Sequence, residues 1–130
     1  AMKTIFVDTN VFLRFILGDV VPQFTKAKKI FDDAALSRVK LYSSIIVFFE
    51  IYWVLKSSCG LVGFELMQKL KQILQLTVEF ENHELLFKAV DQMERHSFDL
   101  EDAYNFSYAQ MVGVSEFETF DQKLLKKFGK

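Results

Sequence analysis

A chain of 130 residues, 51% of them apolar and 15 of them phenylalanine, has the size of one domain and enough apolar side chains for a packed core. This composition excludes a disordered chain, and no apolar run reaches the roughly 18 residues that a membrane span needs. The formal net charge of −1 excludes bulk attraction to a polyanion, so binding of nucleic acid must depend on local basic patches.

The single cysteine, Cys59, excludes an internal disulfide and fits a reducing, cytoplasmic location. No His or Cys lies near it in sequence to make a zinc site, so we interpret it as a small apolar residue. We interpret Ala1, which precedes Met2, as a remnant of cloning. Since no linker, repeat or low-complexity stretch interrupts the chain, we expect one domain over residues 1–130.

The spacing of apolar residues predicts the elements in chain order. Short strands are expected at residues 3–7, 39–42, 76–80 and 117–120. Helices are expected at residues 11–17, from 19–22 to about 36, at 45–58, at 65–75, after residue 82, from 99–101 to 111 and at 122–128. Asn10 and Asn82 are predicted N-caps, and the continuous apolar run of the first strand predicts burial on both faces.

The alternation of strands and helices predicts an α/β protein with a parallel sheet covered on both faces. Right-handed crossovers then bring the carboxyl ends of the strands to one edge, where open α/β sheets bind their ligands.

Four acidic residues lie where these elements begin or end. Asp8 and Asp121 follow the first and fourth predicted strands, and Glu50 and Asp102 lie near the starts of helices. Four carboxylates at one edge cannot all stay ionised without a counter-charge, which Mg²⁺ or Mn²⁺ supplies. Because two such cations about 4 Å apart hydrolyse phosphodiesters, we predict metal-dependent phosphodiester chemistry with these four acids as catalytic residues and metal ligands.

Each acid also has a purely structural explanation. Asp8 and Asp121 suit turns or N-caps, and Asp102 with Asp99 suits the dipole at a helix N-terminus. Glu50 lies in an apolar helix, where an exposed edge or a buried ion pair would explain it, but a lone buried carboxylate would be costly. The shared location of the four favours the metal site over four independent caps.

Other polar and basic residues offer supporting chemistry, although caps, turns and solvated helix faces explain them equally well. Four residues could hydrogen-bond a water or a phosphate: Thr9, Asn10, Ser43 and Thr119. Basic patches for an RNA backbone could come from Arg14, Lys26, Lys28, Lys29, Lys123, Lys126 and Lys127. His83 and His96 are expected at the surface, which argues against a Ser-His-Asp triad, and no phosphate-cradling loop is present.

An aromatic row on the third predicted helix, Phe48, Phe49, Tyr52 and Trp53, is too wide for one helix face. Most of it is predicted to be core, and part of it is predicted to contact a second copy of the chain.

Four segments of the chain, in order, resemble PIN-domain proteins and particularly the VapC-type toxins. Residues 7–14, with Gly18 and Asp19 behind them, resemble the opening of that family. Residues 43–55, 98–103 and 119–123 are similar to its three later acidic segments.

The resemblance implies a three-layer α/β/α sandwich around a central parallel sheet of four or five short strands. It implies a Mg²⁺- or Mn²⁺-dependent endoribonuclease, the toxin of a toxin–antitoxin pair, with ligands at Asp8, Glu50, Asp102 and Asp121 and with Asp99 as a secondary acid. It also implies a cytoplasmic homodimer, an RNA substrate and a small antitoxin protein that occludes the site.

Two other functions are open at this point. A phosphotransferase with Asp8 as covalent nucleophile needs a second Asp two residues on, where the chain has Asn10. The other is a non-catalytic domain that binds RNA or protein, against which the intact set of four acids argues.

Overall fold

A computed structural model describes residues 2–128 and confirms an α/β protein with a parallel sheet. The strands of these residues are β1 Lys3–Phe6, β2 Val39–Ser43 and β3 Glu79–Phe80. The helices are α1 Thr9–Leu17, α2 Val21–Ala35, α3 Ile45–Trp53, α4 Gly63–Gln75, α5 His83–His96, α6 Leu100–Val112 and α7 Gln122–Lys127. None of these helices is both long enough and apolar enough to span a membrane.

The chain divides into two compact units, Ala1–His83 and Glu84–Lys130. The first unit contains the sheet with α1 to α4, and the second contains α6, α7 and nearly all of α5. The three-layer arrangement and the single domain over residues 1–130 stay predictions.

The sheet of the first unit has the order β1-β2-β3, and both pairs of strands are parallel. Beyond β1 the chain is held to β2 by two further bonds. Val7 N donates to the Tyr42 carbonyl at 2.8 Å, and the buried Ser43 hydroxyl donates to the Val7 carbonyl at 2.8 Å. These bonds fix the backbone that leads into Asp8, at the carboxyl edge of the sheet.

Helix α1 begins and ends as elementary capping rules require, but its N-cap is not the predicted one. Asp8, not Asn10, has the extended backbone of an N-cap, and its carboxylate accepts a bond from Thr9 N at 2.8 Å. Gly18 ends the helix with a φ of +61°, which glycine adopts without steric cost. Asn82, the other predicted N-cap, has a φ of +53° instead of extended backbone.

The core of the first unit is a cluster of phenylalanine rings between α1, α2 and the sheet. Phe12 is 0% exposed, and its ring centroid lies 5.4 Å from the centroids of both Phe31 and Phe80. Phe15 contacts Phe31 at 5.0 Å, and Phe48 packs edge-on against Phe80 at 5.8 Å. Such close aromatic pairs add favourable geometry to the burial of apolar area.

Truncation of Phe12 to alanine is expected to lower the free energy of unfolding by about 3–5 kcal/mol, because the cavity lies among rings that cannot all move inward. Urea denaturation followed by circular dichroism measures this change. The half-exposed Phe87 is a matched control that should cost far less as Phe87→Ala. Equal losses for the two variants would contradict the assignment of Phe12 to the core.

The prediction of four or five strands is wrong for residues 2–128, which form three. Residues 117–120 are not a strand, because Phe117 packs on Phe128 while Thr119 and Asp121 form a turn and a helix cap. The predicted third strand shrinks to Glu79–Phe80. Burial of β1 on both faces is also wrong, since Phe6 is 60% exposed.

Helix α3 begins at its Ser44 cap, whose hydroxyl accepts a bond from Val47 N, and ends earlier than predicted. A π-helical turn, Val54–Ser58, replaces the expected last turn of α-helix. In the aromatic row Phe48 and Tyr52 are buried as predicted and Trp53 is 48% exposed, while contact of the row with a second copy stays a prediction. Cys59, which follows the π turn, is a free cysteine and is exposed.

The second unit packs α6 and α7 around a smaller aromatic cluster. Phe98 and Phe106 are buried with ring centroids 5.4 Å apart, and Phe128 meets Phe106 edge-on at 5.7 Å. This cluster anchors the segment before the N-terminus of α6 and the carboxyl end of α7.

Candidate functional site

Three of the predicted acids lie at two helix N-termini of the second unit. Asp99 is the N-cap of α6, and its Oδ1 accepts a bond from Asp102 N at 2.8 Å. Asp121 is the N-cap of α7, and its Oδ1 accepts from Lys123 N at 2.9 Å and from Leu124 N at 3.3 Å. Asp102 is half-buried in the first turn of α6.

Asp99 and Asp121 lie close enough to Asp102 for their charges to act on its carboxylate. Burial raises the pKa of Asp102, and the charges of Asp99 and then Asp121 raise it further, while Lys123 lowers it. No donor in residues 2–128 makes a hydrogen bond to the Asp102 carboxylate. The charged form of Asp102 is therefore held at an electrostatic cost, which a nearby cation would remove.

Lys123 is the positive charge beside these acids. Its Nζ donates to the Ser97 carbonyl at 2.9 Å and lies 5.4 Å from the centroid of the Phe98 ring. Sequence reasoning placed Lys123 only in a basic patch. The sequence signal for its place near the acids was its position two residues after Asp121, because that spacing places Lys123 in the first turn of α7.

The first unit carries Asp8 and Glu50. Asp8 is exposed, and its Oδ1 caps α1. Glu50 is also exposed and, within residues 2–128, makes no hydrogen bond or ion pair. The burial cost expected for this carboxylate in an apolar helix is thus not incurred, because α3 turns Glu50 toward solvent.

Glu81 is an acid at the same edge of the sheet that sequence reasoning missed. It follows β3 directly, its backbone N–H bonds the Ser43 carbonyl at 3.0 Å, and its Oε1 accepts from Ile45 N at 3.2 Å. It therefore satisfies the start of α3. The signal was the pattern of an apolar strand followed by an acid, which also singled out Asp8.

The polar residues named with the acids have identifiable structural roles. Thr119 Oγ1 accepts a bond from Asp121 N at 3.0 Å, which orients the cap of α7. Asn10 lies in the first turn of α1 and is exposed. Thr9 Oγ1 is buried and has no hydrogen-bond partner in the described part of the chain.

The prediction that both histidines lie at the surface is wrong. The ring of His83 bonds Phe80 N at 3.4 Å and the Leu74 carbonyl at 3.0 Å, so it joins β3 to the end of α4. His96 is half-buried and packs against Phe98 at 5.3 Å. Both histidine rings therefore contribute contacts that stabilise the fold.

Oxygen ligands of the kind that Mg²⁺ and Mn²⁺ prefer are present in both units. Across residues 2–128, however, no three His, Cys, Asp or Glu side chains are grouped closely enough to hold a metal ion. The structure brings Asp99, Asp102 and Asp121 within electrostatic reach, and the convergence of these acids with Asp8 and Glu50 stays a prediction.

A comparison with curated proteins finds no match to this chain. The sequence model of the PIN domain matches residues 5–130. Because this match covers nearly the whole chain, the protein belongs to the PIN domain family, whose members are generally nucleases that act on RNA or DNA with divalent metal ions.

Proposed function

We propose that the protein is an endoribonuclease that uses Mg²⁺ or Mn²⁺ to hydrolyse RNA phosphodiester bonds. The observation that carries this proposal is the position of Asp102, whose pKa is raised by burial and then by the nearby charges of Asp99 and Asp121. Like charges gathered at a helix N-terminus without a protein donor for the central one are costly to a fold. That cost is explained if a divalent cation is the partner of these groups.

Asp102 and Asp121 would hold the cation, with Asp8 and Glu50 as the further ligands and Asp99 as a secondary acid. When bound, the cation would neutralise the scissile phosphate and provide a nucleophilic water at neutral pH. Asp8, Asp99 and Asp121 each use only Oδ1 for their caps. Each cap thus orients a carboxylate while its Oδ2 stays available as a ligand.

Lys123 would add a positive charge for the phosphate. The bond to the Ser97 carbonyl holds its Nζ on the backbone, and the Phe98 ring packs beneath it, so little side-chain entropy is left to lose on binding. A fixed charge of this kind orients a phosphate for the reaction.

We also propose that the protein is a cytoplasmic toxin that forms a homodimer and is inhibited by a small antitoxin protein. The four segments that resemble VapC-type toxins support this assignment. On α3, Ile46 is 70% exposed and Trp53 is 48% exposed, and large apolar side chains of this kind are typical of surfaces that a partner covers.

Incubation of the protein with matched RNA and single-stranded DNA oligonucleotides, in Mn²⁺, Mg²⁺ or EDTA, tests the proposed reaction. We expect endonucleolytic products from RNA with either metal and none in EDTA. Cleavage that persists in EDTA contradicts the metal-dependent mechanism, and cleavage of DNA alone contradicts the substrate class.

A second candidate is a non-catalytic PIN-fold domain that binds RNA or protein. It is favoured by the lack of any three acids grouped to hold a metal within residues 2–128. Isothermal titration with Mn²⁺ separates the two candidates. Absence of both heat and cleavage would support the binding domain, whereas binding at about one or two ions per chain would support the nuclease.

A further inference from the structure

A cavity of about 290 Å³ lies between α1 and α2, in the first unit. Its volume is near the lower end of the range for small-ligand pockets, roughly 300–1,000 Å³. From α1 the lining residues are Asn10, Val11 and Arg14, and from α2 they are Gln23, Lys26, Ala27 and Ile30. The α2 residues follow helical spacing, so one face of that helix forms a wall of the cavity.

The charged side chains that line this cavity, Arg14 and Lys26, are both basic, but the charge of Arg14 is compensated by Asp19. Arg14 Nη1 donates to both carboxylate oxygens of Asp19, at 2.8 and 2.9 Å, which anchors the guanidinium at the cavity. Lys26 is exposed and has no carboxylate partner in residues 2–128. Three other cavities each include an acid in their lining, namely Glu79, Asp91 or Glu116.

Apolar and amide groups complete the lining. Ala27 is buried, and Val11 and Ile30 are half-buried, so together they form an apolar floor. Asn10 and Gln23 add carboxamides, which can donate to and accept from the edge of a nucleobase. A flat base over an apolar floor, with cations for its phosphate, is the chemistry of single-strand recognition.

We infer that this cavity binds one nucleotide of the RNA substrate, with the base on the apolar floor and the phosphate at Lys26. The inference rests on the proposed function for the identity of the substrate. Asn10, at the cavity, is two residues from Asp8 in the first turn of α1. The nucleotide would therefore contact the same turn of the protein that carries the proposed metal ligand Asp8. In this position the cavity would hold the RNA strand for cleavage.

Helix α2 supplies a matched control for the charge of Lys26. Lys28 is on the same helix and is exposed, but it is paired with Asp32 at 2.6 Å and does not line the cavity. Lys26→Gln and Lys28→Gln change the net charge equally. The binding of a fluorescent single-stranded RNA in EDTA, measured by anisotropy over a range of salt, compares them without cleavage.

Lys26→Gln is expected to reduce the slope of log affinity against log salt by about 0.7, the loss of one phosphate contact to a single strand, while Lys28→Gln leaves it unchanged. Gln23→Ala should reduce the difference in affinity between RNA oligonucleotides that differ in base sequence. It should leave the slope of log affinity against log salt unchanged. Equal slopes for the two lysine variants overturn the inference. The inference is also overturned if both lysine variants bind the RNA as tightly as the wild type does.

The outcomes also separate this inference from the proposed function. If the slopes differ but no metal-dependent cleavage is found, the nucleotide site is supported and the nuclease assignment fails. If RNA is cleaved but the slopes are equal, the nuclease assignment is supported and the nucleotide site fails. Thermal unfolding of both variants confirms that each is folded.

Discussion

Replacement of Asp102 by asparagine is expected to lower RNA cleavage at least about 100-fold, because loss of residues that merely support metal ligands already costs about 10- to 100-fold. Asparagine keeps the shape of the side chain but binds a hard divalent cation more weakly. The rate of cleavage at saturating Mn²⁺, compared with wild type, measures this loss. Asp91→Asn is the control, since Asp91 lies on α5 in an exposed ion pair with Arg95.

The same substitution should make the metal-free protein more stable at neutral pH. The pKa of Asp102 is raised in the fold, so its ionised form opposes folding above the folded pKa and this cost disappears as the pH falls below the usual value of 3.8. The difference in Tm between Asp102→Asn and wild type is thus expected at pH 7 and should vanish near pH 3. An inactive variant that is also less stable would indicate a structural role instead.

The effect of metal on thermal stability also distinguishes wild type from Asp102→Asn. A cation that binds only the folded state raises its Tm in proportion to the logarithm of concentration over Kd. Mn²⁺ should therefore stabilise wild type more than Asp102→Asn. Equal stabilisation of both would contradict a role for Asp102 as a ligand, whatever the cleavage assay shows.

The helices were predictable from sequence because their signals are local. In α4, which was predicted at residues 65–75, the residues Leu66, Leu70, Ile73 and Leu74 follow helical spacing and are all buried. Gly18 stops α1 and Ser44 starts α3, since each cap depends on one residue and the adjacent turn. A spacing of 3.6 residues needs no knowledge of what the helix packs against.

The strands were less predictable because pairing is not local. Residues 117–120 have the composition of a strand, yet Thr119 and Asp121 use their side chains on nearby backbone groups, which competes with a ladder. In β1 the apolar run predicted burial on both faces, but Phe6 is largely exposed. Apolar composition alone does not say which face of a strand is covered.

The residues of the candidate site follow the same rule, since those with local signals were predictable and those with distant partners were not. The sequence placed Asp99 and Asp102 together at one helix N-terminus, and the influence of Asp99 on the pKa of Asp102 agrees with this. Glu81 was missed and Lys123 was predicted only as part of a basic patch, because their contacts with Ile45 and Ser97 join residues that are distant in sequence. Only a folded chain reveals such partners.

The capping roles of the acids raise the question of whether they are kept for the fold or for chemistry. Asp8 is the clearest case, because the only hydrogen bond of its carboxylate in residues 2–128 is the cap to Thr9 N. An N-cap is worth about 1 kcal/mol, and asparagine caps a helix about as well as aspartate. A carboxylate is not needed for the cap itself.

Asp8→Asn is therefore expected to lower cleavage at least about 100-fold while changing the free energy of unfolding by less than about 1 kcal/mol. Asp8→Ala should lose both the activity and about 1 kcal/mol of stability, since it removes the cap as well. Cleavage rates and urea denaturation on the same samples measure the two effects.

Ser44→Ala supplies the remaining control, because it removes the cap of α3 without removing an acid. It should lose about 1 kcal/mol of stability and keep its activity. If Asp8→Asn cleaves RNA as wild type does, then Asp8 is a helix cap only, and the metal ligands must be sought among the acids of α6 and α7. If Asp8→Asn does not cleave RNA while Ser44→Ala does, the Asp8 carboxylate has two separate roles, as a helix cap and as a metal ligand. The cap then orients the carboxylate toward the metal.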